Sequence, residues 1–309
     1  MLIIMKLGDK IMKIDQNICN SCFGDKGIDL KDNCYNGLGM TDTQVDNVIG
    51  YLADIKYIYR LVDNNKIKAC FINEDLVSEF ENTDIFLIVV DDPAYSFFTL
   101  YNYLAKKKKS IELTKIHCSA KIHKSAVIFD TGVSIGKDCI IGANTVVESG
   151  VEIGYNVVIG NNCTVGCDDV EARNTTHGII RVEHDGKLII KDNVYIGSNS
   201  IIVRGLYSKD TIIEKDVTIA NKSYIGHCNI IGNNSMILGA HICGSCIIGK
   251  NVRINPNSVV SNGVSLGDNS EISIGAVVIK DVDEYKKVSG NFAYDHLLML
   301  RNYGKISRK

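Results

Sequence analysis

Through most of this 309-residue chain an apolar residue returns at every sixth position, and that period excludes most folds at once. The clearest run is Ile219, Ile225, Ile231 and Ile237. Six residues overshoot a helical turn, whose faces repeat about every 3.6 residues, and do not match the two-residue alternation of a strand. A fixed longer period marks a repeat architecture. Each hexad supplies one short flat strand and one turn, and three hexads close a triangular coil. The apolar residue points to the axis and stacks on its equivalents in neighbouring coils. With a strand spacing of about 4.8 Å, some eight coils make a rod of roughly 40 Å.

The hexads read apolar, then Gly or Ala, then two polar residues, then a small one. That form is the signature of the left-handed parallel β-helix, an exception to the usual right-handed crossover. One series runs through Ile116 and Ile122, and a second through Ile135, Ile141, Val147, Ile153, Ile159 and Val165. The period fails from Cys167 to Lys187, a polar insertion expected to leave the rod as a loop on one face, where binding sites often lie. It resumes at Ile190, Ile196 and Ile202 and again from Ile213 to Ile237; after a one-residue slip near Cys243 it runs from Ile242 to Val278. Three parts are expected: a small α/β domain over 1–112, the β-helix over 113–285, and a C-terminal segment over 286–309 with a closing helix at Tyr294–Tyr303.

In the first part, Ile67–Ile72 and Ile85–Val90 read as strands and Ala94–Lys107 as a helix started by Pro93. The basic run Lys106–Lys109 reads as a solvated helix end. The formal net charge of −2 supplies no basic field for nucleic acid. No run approaches the length of uncharged apolar sequence that a membrane span needs. The N-terminus is interrupted by Lys6, Asp9 and Lys10 and lacks a small-residue cleavage site, so it does not read as a signal peptide, and a cytoplasmic location is expected. Eleven scattered cysteines fit reduced thiols. Cys19 and Cys22 form a CxxC, but no second pair follows at zinc spacing, so a structural role is the expectation.

One residue breaks the pattern of the clearest run. His227 sits between Gly226 and Cys228, where neighbouring hexads carry small residues, Asn or Asp. Imidazole titrates near neutrality and is the side chain of choice for a general base. One coil further, allowing for the slip, lies Gly244, whose backbone N–H is the candidate donor to an oxyanion. His241, less than a coil away, is a second candidate. His117 and His123 belong to the opening coils, His296 to the terminal helix, and His177 and His184 to the insertion.

Three stretches resemble the UDP-3-O-acylglucosamine N-acyltransferase family of lipid A biosynthesis. GYLADIKYIYRL, from Gly50 to Leu61, is similar to the family segment in which two aromatic rings sandwich uracil, with Tyr51 and Tyr57 at those positions and Asp54 where Asn is usual. Offset stacking suits a flat base that offers few charges. LIVVDDPAYSFFTLYNYL, from Leu87 to Leu104, matches the close of the family's first domain. ANKSYIGHCNIIG, from Ala220 to Gly232, resembles the family's DNxxQIAHNxxIG and puts His227 on the catalytic histidine, with Asn221 as a substrate contact.

The resemblance implies a sugar N-acyltransferase that uses an acyl-CoA or acyl-carrier-protein thioester as co-substrate. No permanent cofactor and no metal would be needed. It implies a homotrimer with sites between rods, the pantetheine arm lying in the groove between neighbours. The departures narrow this. Val264 stands where the family has a second histidine, GCDDVEARN replaces its GADGFGF loop, and Val203–Arg204–Gly205 replaces Asp-Arg-Gly. GAVVIKDVDEYKKVSGNFA, from Gly275 to Ala293, looks more like the last coil of CoA-dependent sugar acetyltransferases. The alternatives are a strict lipid A enzyme using 3-hydroxyacyl carrier protein, and a non-catalytic nucleotide-binding scaffold. A zinc carbonic anhydrase on this fold would need an H-x4-H pair, which the sequence lacks.

Overall fold

A computed structural model describes residues 13–24, 28–107, 112–290 and Leu297. The chain divides into two compact units: 1–109 with 170–185, and 110–169 with 186–309. Among the described residues no helix is long and apolar enough to cross a membrane.

The second unit is the left-handed parallel β-helix. Its short strands form three parallel sheets of eight, eight and nine strands. Val133, Ile135, Ile141, Val147, Ile153 and their equivalents through Val278 form one continuous buried column. The corners explain the Asn-rich tetrads. Asn144, Asn156, Asn162, Asn193, Asn199, Asn234, Asn251, Asn257 and Asn269 all have φ between 54° and 60°, the left-handed region that Asn tolerates better than most residues. Their neighbours form a polar ladder, as where Asn161 Oδ1 accepts from Ala143 N (2.7 Å) and Asp268 Oδ1 from Lys250 N (2.8 Å).

Strand register locates the irregularities. Neighbouring coils are normally offset by eighteen residues, as in Val146↔Thr164. The slip lies in the short corner Leu238–Ala240 rather than at Cys243, because Thr218 still pairs with Met236 while Tyr224 already pairs with His241. A second interruption falls at Gly205–Asp210, with Tyr207 and Ser208 at φ 57° and 55°. The rod also continues to a strand at Lys287–Val288 paired with Glu271–Ile272. Apart from Leu297, the expected helix Tyr294–Tyr303 lies outside the described residues.

The first unit is a four-stranded parallel sheet ordered Gly37–Leu38, Val48–Leu52, Ile67–Ile72, Phe86–Val89. Its two central strands are almost wholly buried, as strands of a covered parallel sheet must be. The helix Pro93–Lys107 packs on them through Phe97, Phe98, Leu100 and Tyr101. Asp92 caps this helix, its Oδ1 accepting from Tyr95 N at 2.8 Å.

The insertion is more than a loop. Ala172–Thr175 and Gly178–Arg181 form an antiparallel hairpin that belongs to the first unit. Its turn is held by Asp92, whose Oδ2 accepts from Thr176 N (2.6 Å) and Thr176 Oγ1 (2.8 Å). His177 stacks on Tyr95 with ring centroids 4.0 Å apart. Asn102 bridges the far strand, donating to Arg181 O (2.7 Å) and accepting from Glu183 N (2.9 Å).

Candidate active site

The corner carrying His227 follows the strand Tyr224–Ile225, which pairs with Ile201–Val203 on one side and His241–Ile242 on the other. Successive coils therefore place Arg204, His227, Gly244 and Asn262 in one column, the last step set by His241↔Val259. The His227 main chain is fixed by Ser245 N, which donates to its carbonyl at 2.7 Å. Gly226 is needed beside it, because a Cβ there would come within 2.9 Å of Cys243 C and Gly244 N.

The imidazole lies directly over Gly244. A Cβ on Gly244 would fall 2.6 Å from His227 Cε1 and 2.8 Å from Cδ2, and nearer still to Nε2. The other edge of the ring meets a carboxylate: His227 Nδ1 faces Asp169 Oδ2 at 2.9 Å and Oδ1 at 3.2 Å. The two side chains are 14% and 18% exposed, so the pair is mostly shielded from water and its electrostatics are correspondingly strong. With Nδ1 donating to the carboxylate, the basic lone pair belongs to Nε2.

Tyr224 makes the second contact to the same carboxylate, its hydroxyl donating to Asp169 Oδ2 at 3.2 Å. Burial, and then the Asp169 charge, hold that phenol well above its usual range, so it stays a donor. Its ring stacks on His241 with centroids 4.3 Å apart and planes 11° apart. Asp168, one residue earlier, turns to Arg204, whose Nε donates to its Oδ1 at 2.6 Å. Glu148 lies in the same neighbourhood. Burial, then the Asp168 charge, raise its carboxyl, against the pull of Arg204. Burial and Glu148 also push the Cys167 thiol up to about 11.

The N–H expected to bind an oxyanion is engaged. Gly244 N donates to Asn262 Oδ1 at 2.7 Å, the same ladder contact that other corners make. Gly244 thus has a place the sequence did not assign, as the seat of the imidazole, with its N–H held by Asn262. Val264, where a second histidine was sought, is part of the rod core. His117 and His123 are tied to Ser119 and Ser125, each at 2.9 Å.

In the first unit, Tyr51, Asp54 and Tyr57 line one cavity of about 310 Å³ together with Arg60 and Arg173. Tyr51 is packed against Phe97 and Phe98, with centroids 4.7 and 5.3 Å away, whereas Tyr57 is 44% exposed. Asp54 caps the short helical turn Ile55–Tyr57, accepting from Lys56 N at 3.1 Å and pairing with Lys56 Nζ at 2.6 Å. Asn221 sits on the rod, in a groove of about 540 Å³ with Ala220, Leu238, Gly239 and Pro256.

Asp169, Tyr224 and Asn262 are not singled out by the sequence, and Arg204 enters there only as part of a departure from the family, with no role. The signal for Asp169 was column position: Val165, Ile202, Ile225 and Ile242 are successive partners, so the acidic pair that opens the insertion emerges at the corner that later carries His227. Neither unit by itself holds, among the described residues, three metal-ligating side chains close enough to share an ion. All eleven cysteines are free thiols. Burial pushes Cys19 and Cys22 up to about 12 and about 11, which keeps both as protonated thiols near neutral pH.

The family model for the bacterial transferase hexapeptide (six repeats) matches residues 132–167 and 230–262. UDP-3-O-acylglucosamine N-acyltransferase of Helicobacter hepaticus is 33% identical over 75 residues, 24% of this chain and 23% of that protein. The enzyme of the same name from Methylorubrum extorquens is 41% identical over 69 residues, 22% of this chain and 19% of that one. The chain thus spans under a quarter of the length of these relatives. The crystal structure of UDP-N-acetylglucosamine O-acyltransferase from Moraxella catarrhalis is 26% identical with a TM-score of 0.40, covering 60% of this chain and 77% of the other. Two stretches of the rod, 132–167 and 230–262, thus match the bacterial transferase hexapeptide model, and over part of its length the chain is similar to UDP-3-O-acylglucosamine N-acyltransferases.

Proposed function

We propose that the chain is an N-acyltransferase that moves an acyl group from a phosphopantetheine thioester, acyl-CoA or acyl carrier protein, to the amine of a UDP-linked amino sugar. The observation that carries this reading is the Asp169–His227 pair seated on Gly244. Nε2 of His227 takes a proton from the attacking amine as its nitrogen bonds to the thioester carbonyl carbon. The tetrahedral intermediate collapses, the C–S bond breaks, and the thiolate takes up the proton to leave as a thiol, giving an amide. Asp169 holds the ring in the tautomer with Nδ1 protonated and stabilises the imidazolium. The thioester carbonyl takes the place of Asn262 Oδ1 on Gly244 N–H. The cavity of Tyr51, Asp54 and Tyr57 receives the uracil ring, and the groove at Asn221 the pantetheine arm. Exposed Val127, Ile201 and Val277 along one sheet and Ile247 on another support lateral association into a C3 homotrimer.

The test is a panel of UDP-amino sugars crossed with acetyl-CoA and 3-hydroxyacyl carrier protein, with release of free thiol as the signal. Turnover with at least one pair is expected, and a fall of about two to four powers of ten in His227→Ala. Undiminished turnover in that variant would sink the assignment of the base.

A further inference from the structure

We propose that Arg204 is a positioning residue that acts through Asp168 to set the aim of Asp169, and hence of the His227 ring. This rests on the reaction reading above only for its kinetic consequence. The geometry stands apart from it.

Asp168 and Asp169 are the last residues of the rod before the chain leaves for the Val170–Asp185 hairpin. The strand they follow, Thr164–Cys167, loses regular register between Val165 and Cys167. Such a bulge re-aims the side chains beyond it and leaves them without the ladder that fixes their equivalents elsewhere. Arg204 restores the constraint at three points. Its backbone N–H donates to Cys167 O at 3.1 Å. Its Nε donates to Asp168 Oδ1 at 2.6 Å, and its Nη1 reaches Ser149 O, two coils away, at 3.4 Å.

The Arg204 side chain is 15% exposed and that of Asp168 44%, so this charge-assisted contact is directional but open to solvent on its carboxylate side. It also separates charges. Glu148, Asp168 and Asp169 crowd this corner, and Arg204 is the cation that lowers the Glu148 carboxyl against the Asp168 charge. With Asp168 turned to Arg204 in the next coil, Asp169 reaches one coil further in the same direction, to Tyr224 and His227. A freed Asp168 would let the dipeptide rotate, and the 2.9 Å contact to His227 Nδ1 would be lost or shared among rotamers.

The test compares Arg204→Met, Arg204→Lys, Asp168→Asn and the Arg204→Met/Asp168→Asn double variant in the full chain, by two readouts. The first is the ¹⁵N and Nδ1–H imidazole signal of His227, assigned with His227→Gln, which requires no turnover. Wild type is expected to show a single Nδ1–H tautomer with a downfield proton; Arg204→Met and Asp168→Asn should weaken that signal, and Arg204→Lys should restore part of it. The second is kinetics. A misplacement of about 1 Å costs roughly 100-fold, so kcat should fall about 10- to 100-fold at nearly constant KM. The double variant should fall no further than the worse single one. An unchanged His227 signal in both single variants overturns the proposal, as does a double variant in which the two losses multiply. Should Arg204→Met fail to fold, Asp168→Asn and Arg204→Lys carry the same test. A wild type with the expected signal but no acyl transfer would remove the reaction reading and leave the positioning result standing.

Discussion

Replacing Gly244 by Ala is the sharpest probe of the site, because it adds one methyl group where the structure leaves no room for it. The new Cβ would lie 2.6 Å from His227 Cε1, whereas carbon atoms pack comfortably at about 3.5 Å. The ring must therefore retreat by roughly 1 Å. The Nδ1–Asp169 Oδ2 contact, now 2.9 Å, would open past the hydrogen-bonding range. Losing the oriented base costs about two powers of ten for the misplacement and up to four if the base stops acting. Stability should move little. Gly244 does not occupy the left-handed region, so the backbone accepts Ala, and the lost chain freedom of Gly even favours the folded state by about 0.4–1 kcal/mol. Steady-state thiol release and thermal melting on the same samples would show kcat down at least 100-fold with the melting temperature held within a few degrees. His227→Ala added to Gly244→Ala should cost little more. A Gly244→Ala protein within threefold of wild type would refute the seating of the imidazole as the source of activity.

Three other outcomes follow from the two units. Tyr51→Ala with Tyr57→Ala should raise KM for the UDP-sugar with little change in kcat, because stacking on a remote base is mostly uniform binding; a kcat effect alone would count against the cavity as the base site. Asp92 controls the acid limit of the first unit. Burial pushes its carboxyl up, but the N–H groups of Tyr95 and Thr176, the Thr176 hydroxyl and His177 outweigh it and hold the group below its usual range. Its folded pKa is thus below the unfolded value near 3.9, so its contribution is complete above about pH 4 and is lost as pH falls through the lower folded value. Urea unfolding of Asp92→Asn, followed by tyrosine fluorescence, should show lower stability at pH 7 and a flatter dependence below pH 4; an unchanged slope would contradict this. Finally, Cys22, pushed up to about 11, should alkylate with iodoacetamide far more slowly at pH 7 than a free thiol does, and rapid labelling in the native state would overturn its assignment as inert.

The rod was legible because its period is physical. Each inward Ile or Val touches its own equivalents one coil away, so the core repeats in sequence as it does in space, and the left-handed corners explain Asn at fixed steps. What the period could not supply was anything that interrupts it. The insertion read as a loop, but its alternating residues form a hairpin whose partners, Asp92, Asn102 and Tyr95, lie some eighty residues upstream. The slip was placed near Cys243 because the apolar series resumes there; the missing residue is in the corner Leu238–Ala240, which only strand register reveals. Gly244 could be found beyond His227 by counting. Asp169, 58 residues away across a broken period, is tied to His227 only by its column position, which local spacing does not display.

The interruptions also bear on why this is the corner proposed to carry chemistry. A regular coil gains its stability from continuous ladders and an unbroken core column, so each departure forfeits some hydrogen bonding and packing and persists only where something else requires it. Twenty-three residues separate Ile201 from its partner Tyr224, and seventeen separate Tyr224 from His241, against the regular eighteen. The coil of His227 is therefore flanked by an extra loop on one side and a shortened corner on the other. The loop brings Leu206 to Cys228, whose Sγ accepts from Leu206 N at 3.3 Å. Across the short corner the core pairing Ile225↔Ile242 is kept, so Gly244, two residues beyond Ile242, falls under the imidazole although it lies seventeen rather than eighteen residues from His227. Restoring one residue to Leu238–Ala240 should leave Ile242 opposite Ile225 and Gly244 opposite His227 while making the rod more regular, so such a variant is expected to melt higher with thiol release unchanged, and a loss of turnover would refute this separation of the repeat's contribution to stability from the site's proposed contribution to catalysis.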